Sequence, residues 1–295
     1  MKRRRFLAIS AAAIAAPAGA QTTTWRGYAL GAEVSLTFEG DPTTAAAAIE
    51  KVTALLQDCE DQFSLYRPSS ALSQLNSQGS LRNPSPQFLQ LLLACQEAYI
   101  LTGGQFDPTV QPLWEALAKG RDLDAAKGLI GWDRVKISPD RIVLGRGQKL
   151  TLNGIAQGYA TDMVAGVLKQ SGWTKVLVNV GEFHAGGKVW TLGISDPRHG
   201  IVQTVQLKDR AIATSSPQAM RLSAEHTHIL DPRNHGAPVW STVSVEASNA
   251  TTADALSTAF CYLSVDEIER TLAKTNGYPS AYCVLPDGRV RYLTV

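Results

Sequence analysis

The chain has no Cys-x-x-Cys pair, no basic stripe, no internal repeat and no long linker. Each absence removes a class of protein. Its four cysteines, Cys59, Cys95, Cys261 and Cys283, each lie in an apolar segment, so buried free thiols are expected rather than a zinc ribbon or a dithiol redox motif. Disulfides would require choosing among three pairings that spacing does not decide. Neither Gly-Lys-Ser/Thr nor Gly-x-Gly-x-x-Gly occurs, which removes the two commonest phosphate-binding fingerprints. The 28 basic and 26 acidic residues are spread without clustering outside the N-terminus, so no nucleic-acid partner is expected. Beyond the N-terminus no apolar run is long enough to span a membrane.

What is present begins with an export signal. Lys2 to Arg5 form a basic segment, Phe6 to Ala16 an apolar one, and Ala18-Gly19-Ala20 a small-residue cleavage site. Arg3-Arg4-Arg5-Phe6-Leu7 fits the twin-arginine pattern. No Cys stands at the cleavage site to carry a lipid. The reading is a signal over residues 1–20 and a single domain over 21–295, delivered to the periplasm. The net charge of +2 becomes −2 once Lys2, Arg3, Arg4 and Arg5 leave with it.

Residue patterning predicts α+β. Trp25 to Glu39 reads as extended, and Asp41-Pro42 opens a helix reaching about Cys59. Ser64 to Asn76 reads as a loop, Pro86 to Leu101 as a helix, and Phe106 to Trp114, with two prolines, as irregular. A strand pair is expected around Val135 to Leu144, and a helix over Ile155 to Gln170. Lys175 to Gly181, continuously apolar, reads as a central strand. Further strands are expected at Trp190–Ser195, Ile201–Leu207, Ala211–Ser215, Val243–Ala247, Ala281–Leu285 and Arg289–Thr294. Helices are expected over Thr251–Ser264 and Asp266–Thr275. Strands grouped in runs favour mixed or antiparallel sheets over a doubly wound one.

Three segments carry candidate chemistry. Asp254 and Thr258, four apart on a helix, put a carboxylate and a hydroxyl on one face, as Mg²⁺ or Ca²⁺ requires. Taken alone, a helix start with Thr251 as N-cap and Asp254 as a dipole-favourable acid is the simpler explanation. Thr151 to Ala160 is a Gly-containing turn entering a helix; its N–H groups could hold phosphate, or the glycines could serve tight packing. In His226-Thr227-His228-Ile229-Leu230-Asp231-Pro232-Arg233, two histidines lie on one side of a strand. They suit zinc if a third ligand exists; otherwise one His orients a nucleophile, or the segment is a turn entry.

These segments, with others in the same order, resemble the ApbE flavin transferase family over nearly the whole mature length. The matching blocks are Phe63-Ser64-Leu65-Tyr66-Arg67-Pro68 with Ser70 and Asn76; Gly104 to Val110; Gly154 to Ala160; Val178-Asn179-Val180-Gly181; Ala213-Thr214-Ser215; His228 to Arg233; and Ala253 to Ala259. The resemblance implies a two-lobed fold with FAD as substrate in a cleft. It implies Mg²⁺ at Asp254, Thr258 and a backbone carbonyl near Gly154. It places Leu30, Tyr66, Gln105, Phe106, Asp107, Thr151, Gln157 and Ile229 against FAD, and His228 in catalysis. The implied activity is transfer of FMN from FAD to a Thr or Ser hydroxyl of an acceptor protein, with release of AMP. The implied acceptor is a flavoprotein of a membrane or periplasmic electron-transfer complex.

The chain departs from many relatives where Thr151 replaces Asp, Gln157 replaces Lys and Ser216 replaces Gly, and where the turn through Asn234-His235-Gly236 is one residue longer. Loss of charge at Gln157 weakens any phosphate contact it makes. Two alternatives therefore stand beside transfer: an FAD pyrophosphatase giving FMN and AMP, and a non-catalytic FAD-binding assembly protein.

Overall fold

The computed structural model describes residues 12–13, 22–39, 42–233 and 236–295. The segments read as a twin-arginine motif and a cleavage site, with Asp41, Asn234 and His235, lie outside the described residues. Of residues 1–20, only Ala12–Ala13 is described, as a short strand pairing with Leu192 and Gly193.

The segment expected to be extended from Trp25 is a hairpin of two eight-residue strands, Thr22–Ala29 and Ala32–Glu39. Leu30 and Gly31 turn it, both at positive φ (50° and 80°), as a two-residue hairpin turn demands. Val34, Leu36 and Phe38 are fully buried on one face. Burying such side chains stabilises by about 1.5–3 kcal/mol each.

That hairpin ends a sheet with eight strands among the described residues. Their order is Val290–Thr294, Ser280–Val284, Thr242–Ala247, Arg210–Ser215, Phe183–Ala185, Val176–Asn179, Ala32–Glu39 and Thr22–Ala29, and every neighbouring pair is antiparallel. Val176–Asn179 is central as expected and buried at every position. Val176 and Val178 face the main core, and Leu177 faces a second core built with Trp190, Leu192, Ile194 and Leu207. With both faces covered, the strand reads as a continuous apolar run. The second core is roofed by a hairpin of Trp190–Asp196 and Gly200–Leu207. A small sheet of Ser80–Arg82, Arg141–Val143 and Lys136–Ile137 contains the expected strand pair. Among the described residues no helix is long and apolar enough to cross a membrane.

The helices Pro42–Phe63, Ala156–Gln170 and Ala250–Phe260 pack in succession on the main-core face. Two expectations fail. Ser64 to Asn76 is not all loop: Ala71–Gln78 is a helix, because Ser70 caps it by accepting from the Ser73 N–H at 3.1 Å and Leu72 and Leu75 are buried one turn apart. Phe106 to Trp114 is not irregular: a 3₁₀ turn, Pro108–Val110, runs into the helix Gln111–Lys119, whose Pro112 sits in the first turn where no N–H is needed. A short strand, Phe183–Ala185, was not anticipated.

Candidate functional site

The crossing of Ala156–Gln170 over Ala250–Phe260 sets the site. A Cβ on Gly158 would run into the Ala250 carbonyl and lie 2.8 Å from the Asp254 Cβ, so only glycine permits this approach. The approach lets the Gly158 N–H donate to Asp254 Oδ2 at 2.9 Å. Asp162, one turn further along the first helix, accepts from the N–H groups of Ala250 and Thr251 at 2.7 and 2.8 Å. The two helices are thus locked by two carboxylates reaching in opposite directions.

The bland explanation of Asp254 does not survive. The N-cap is Asn249, accepting from the Thr252 N–H at 2.8 Å, and not Thr251. Asp254 is therefore the fifth residue of the helix, beyond the turn where an acid favours the dipole. It is 3% exposed, and burial pushes its carboxyl up to about 7.

Thr258 lies one turn on, half-buried, with its Oγ1 3.3 Å from Ser215 Oγ; Ser215 also bonds Ser257 Oγ at 2.8 Å. A Cβ on Gly154 would stand 2.8 Å from Thr258 Oγ1, so glycine lets that backbone close on the hydroxyl. A carboxylate, a hydroxyl and a neighbouring backbone carbonyl are hard oxygen donors, and this set fits Mg²⁺. Gln157 packs its carboxamide against Gly181, where a Cβ would lie 2.6 Å from its Cδ. Glu182, which the sequence reading passed over, is buried beside Asp254 and accepts from the Thr214 N–H at 2.9 Å.

The remaining candidates lie at several places in the fold. Thr151 is half-buried; its N–H donates to the Pro108 carbonyl and its Oγ1 accepts from the Asn153 N–H at 3.3 Å. Tyr66, 64% exposed, hydrogen-bonds the Asn153 side chain. Tyr66 and Asn153 line a pocket of about 310 Å³ with Asn76, Trp114, Glu115 and Lys149. Leu30 is tied nearby, since its N–H donates to Glu60 Oε1 at 3.0 Å and Glu60 pairs with Arg67.

Gln105 is 3% exposed; its Nε2 donates to Asp231 Oδ1 at 3.0 Å, and its Oε1 is buried with no partner among the described residues. That acceptor fits an N–H of a heterocyclic ring. Phe106 lies in the main core, and Asp107 accepts from the N–H and hydroxyl of Thr109. Ile229 is half-buried and its carbonyl accepts from Tyr262 Oη at 2.6 Å.

His228 is half-buried and its Nδ1 lies 3.1 Å from the Met220 carbonyl, so the neutral ring carries its proton on Nδ1. Burial holds the imidazole below its ordinary pKa, partly offset by the carbonyls of Met220 and Pro217. His226 faces Ser223 instead, at 3.1 Å. The segment is a bend and not a strand, and no group of three or more His, Cys, Asp or Glu able to hold a metal exists among the described residues. The zinc reading has no site there.

Comparison with known proteins agrees. The chain is 32% identical over 292 residues to an FAD:protein FMN transferase of Treponema pallidum, covering 83% of this chain and 79% of that one. It is 26% identical over 267 residues to one of Vibrio cholerae serotype O1, covering 80% and 79%. The ApbE protein of Thermotoga maritima superposes with a TM-score of 0.79 at 24% identity, over 92% of this chain and 97% of that one. The flavin transferase ApbE of Vibrio cholerae gives 0.76 at 24%, over 94% and 97%. Because the ApbE family model matches residues 30–282, most of the folded chain, this protein belongs to the ApbE family.

Proposed function

We propose that the protein is a Mg²⁺-dependent FAD:protein FMN transferase, exported to the periplasm, that esterifies FMN to a Thr or Ser hydroxyl of an acceptor protein and releases AMP. The observation that carries this is the convergence of Gly154, Gly158, Asp254 and Thr258 where a loop enters a helix. The names of the two curated relatives support the reaction class. Mg²⁺ at Asp254, Thr258 and the carbonyl near Gly154 would neutralise charge on the pyrophosphate oxygens as the bridge breaks.

The chain's own residues supply the rest. Gln105 Oε1 and the pocket beside Tyr66 and Asn153 hold and orient the ring systems of FAD. His228 Nε2 takes the proton of the acceptor hydroxyl. The hydroxyl oxygen then bonds to the FMN phosphorus, the bond between that phosphorus and the bridging oxygen breaks, and AMP departs carrying the bridging oxygen. Gln157 is neutral, so binding of the phosphates rests on the cation and backbone N–H groups.

Incubation of the mature protein with FAD, Mg²⁺ and an acceptor domain bearing an exposed Thr tests this. A mass gain on the acceptor equal to FMN less water is expected. FMN and AMP without that gain would mean hydrolysis, and bound intact FAD would sink both enzymatic readings.

A further inference from the structure

Asp231 is a buried acid, 6% exposed, that the transfer scheme does not use. Backbone N–H groups fix its carboxylate. Oδ1 accepts from the Arg233 N–H at 3.0 Å and Oδ2 from the Gly236 N–H at 3.2 Å, so the turn that follows sets how the group sits. A further donor comes from far back in the chain. The helix Pro86–Leu101 ends in a turn through Gly103 and Gly104, both at positive φ (60° and 83°), and that turn delivers Gln105 to Asp231. There the Gln105 Nε2 donates to Oδ1 at 3.0 Å. A carboxylate only accepts, whereas a carboxamide has one end that donates and one that accepts. Turned over, Gln105 would set Oε1 against Oδ1, acceptor to acceptor. Asp231 therefore decides that Oε1 is the end left over, and Oε1 is buried with no partner among the described residues. A buried acceptor left unpaired is costly, and native folds seldom keep one without a use.

We propose that Asp231 is a positioning residue: by fixing the Gln105 carboxamide it makes a ring N–H the group that FAD must present there. The inference rests on the transferase reading for FAD as the ligand, and deepens it by naming what this contact selects. FAD carries such a donor on each ring system, the imide N–H of the isoalloxazine and the amino group of the adenine. Either meets the acceptor in the same way. A ring edge bearing only acceptors is rejected, because it opposes Oε1 and leaves it unpaired.

The test measures binding to the mature protein, with Mg²⁺ and without acceptor, by flavin fluorescence read before any turnover. The ligands are FAD, its 3-methyl analogue, which lacks the isoalloxazine N–H, and its hypoxanthine analogue, which has a carbonyl in place of the adenine amino group. At least one analogue should bind about 10–100-fold more weakly than FAD. In Asp231→Asn the carboxamide is free to turn, because Asn offers a donor as well as an acceptor. The ratio for that analogue should then narrow by about fivefold or more, since FAD loses a bond the analogue never made. The analogue whose ratio narrows tells which ring Gln105 meets. A merely structural loss would weaken all three ligands alike. Gln105→Met removes both ends of the amide and should narrow the same ratio, which keeps the test decisive if Asp231→Asn does not fold. Equal affinity of the unsubstituted protein for FAD and both analogues, or unchanged ratios in either folded variant, overturns the proposal. Failure of FAD to bind the unsubstituted protein at all would instead sink the transferase reading, and this inference with it.

Discussion

At the scale of the residue, His228 is set by its two nitrogens. Nδ1 is spent on the Met220 carbonyl and burial lowers the ring's pKa, so the neutral, proton-accepting form extends below the ordinary value of 6.5. The acid limb of kcat/KM for transfer should therefore have its midpoint below pH 6.5; a His228-dependent midpoint above 6.5 would contradict the role. His228→Asn should cost about 10²–10⁴-fold in kcat. The same shift makes a stability statement. The unfolded ring binds a proton more readily, so its contribution to stability is full above pH 6.5 and is lost as pH falls through the lower folded value. Asp254 and Thr258 were legible in the sequence because a spacing of four is a local property of a helix. Glu182 was not, because its neighbours Thr214 and Asp254 reach it only through sheet pairing and helix packing far along the chain. Phe106 and Asp107 fall in a matching block, and their side chains are buried in core and loop.

At the scale of the element, the helix crossing at Gly158 depends on having no side chain there. Gly158→Ala would overpack against Ala250 and Asp254, at a cost of about 1–3 kcal/mol, and would carry the Gly158 N–H away from Asp254. The urea midpoint should drop with an unchanged m-value, while an unaltered midpoint would show the crossing to be looser than described. Long elements with apolar periodicity, such as Pro86–Leu101 and Ala156–Gln170, were legible to within a residue or so. Ala71–Gln78 was hidden because Ser, Gln and Asn dominate it and only two leucines mark its buried face. Gln111–Lys119 was hidden by prolines that read as breakers but occupy a turn tolerant of them. Phe183–Ala185 is three residues long, too short for any period to register.

At the scale of the whole molecule, the α+β class was legible and the strand order was not. The sheet pairs Ser35 with Asn179 and Arg210 with Ala185, contacts that no local pattern encodes. The closed main core also settles the thiols. All four cysteines are free and buried. Burial pushes Cys59 and Cys283 up to about 12, and Cys95 and Cys261 are raised as well. The folded protein should resist a thiol-specific disulfide reagent at pH 8 and react at four sites once unfolded in guanidinium. Fast reaction of the native protein would show the core to be open.

The central claim joins scission of FAD to modification of a protein, and the amounts of the two products test that join. AMP released and FMN bound to the acceptor should be measured in one sample over time. Equal amounts are expected throughout, with neither product formed by Asp254→Ala. AMP accumulating beside an unmodified acceptor, or undiminished transfer by Asp254→Ala, would contradict the account.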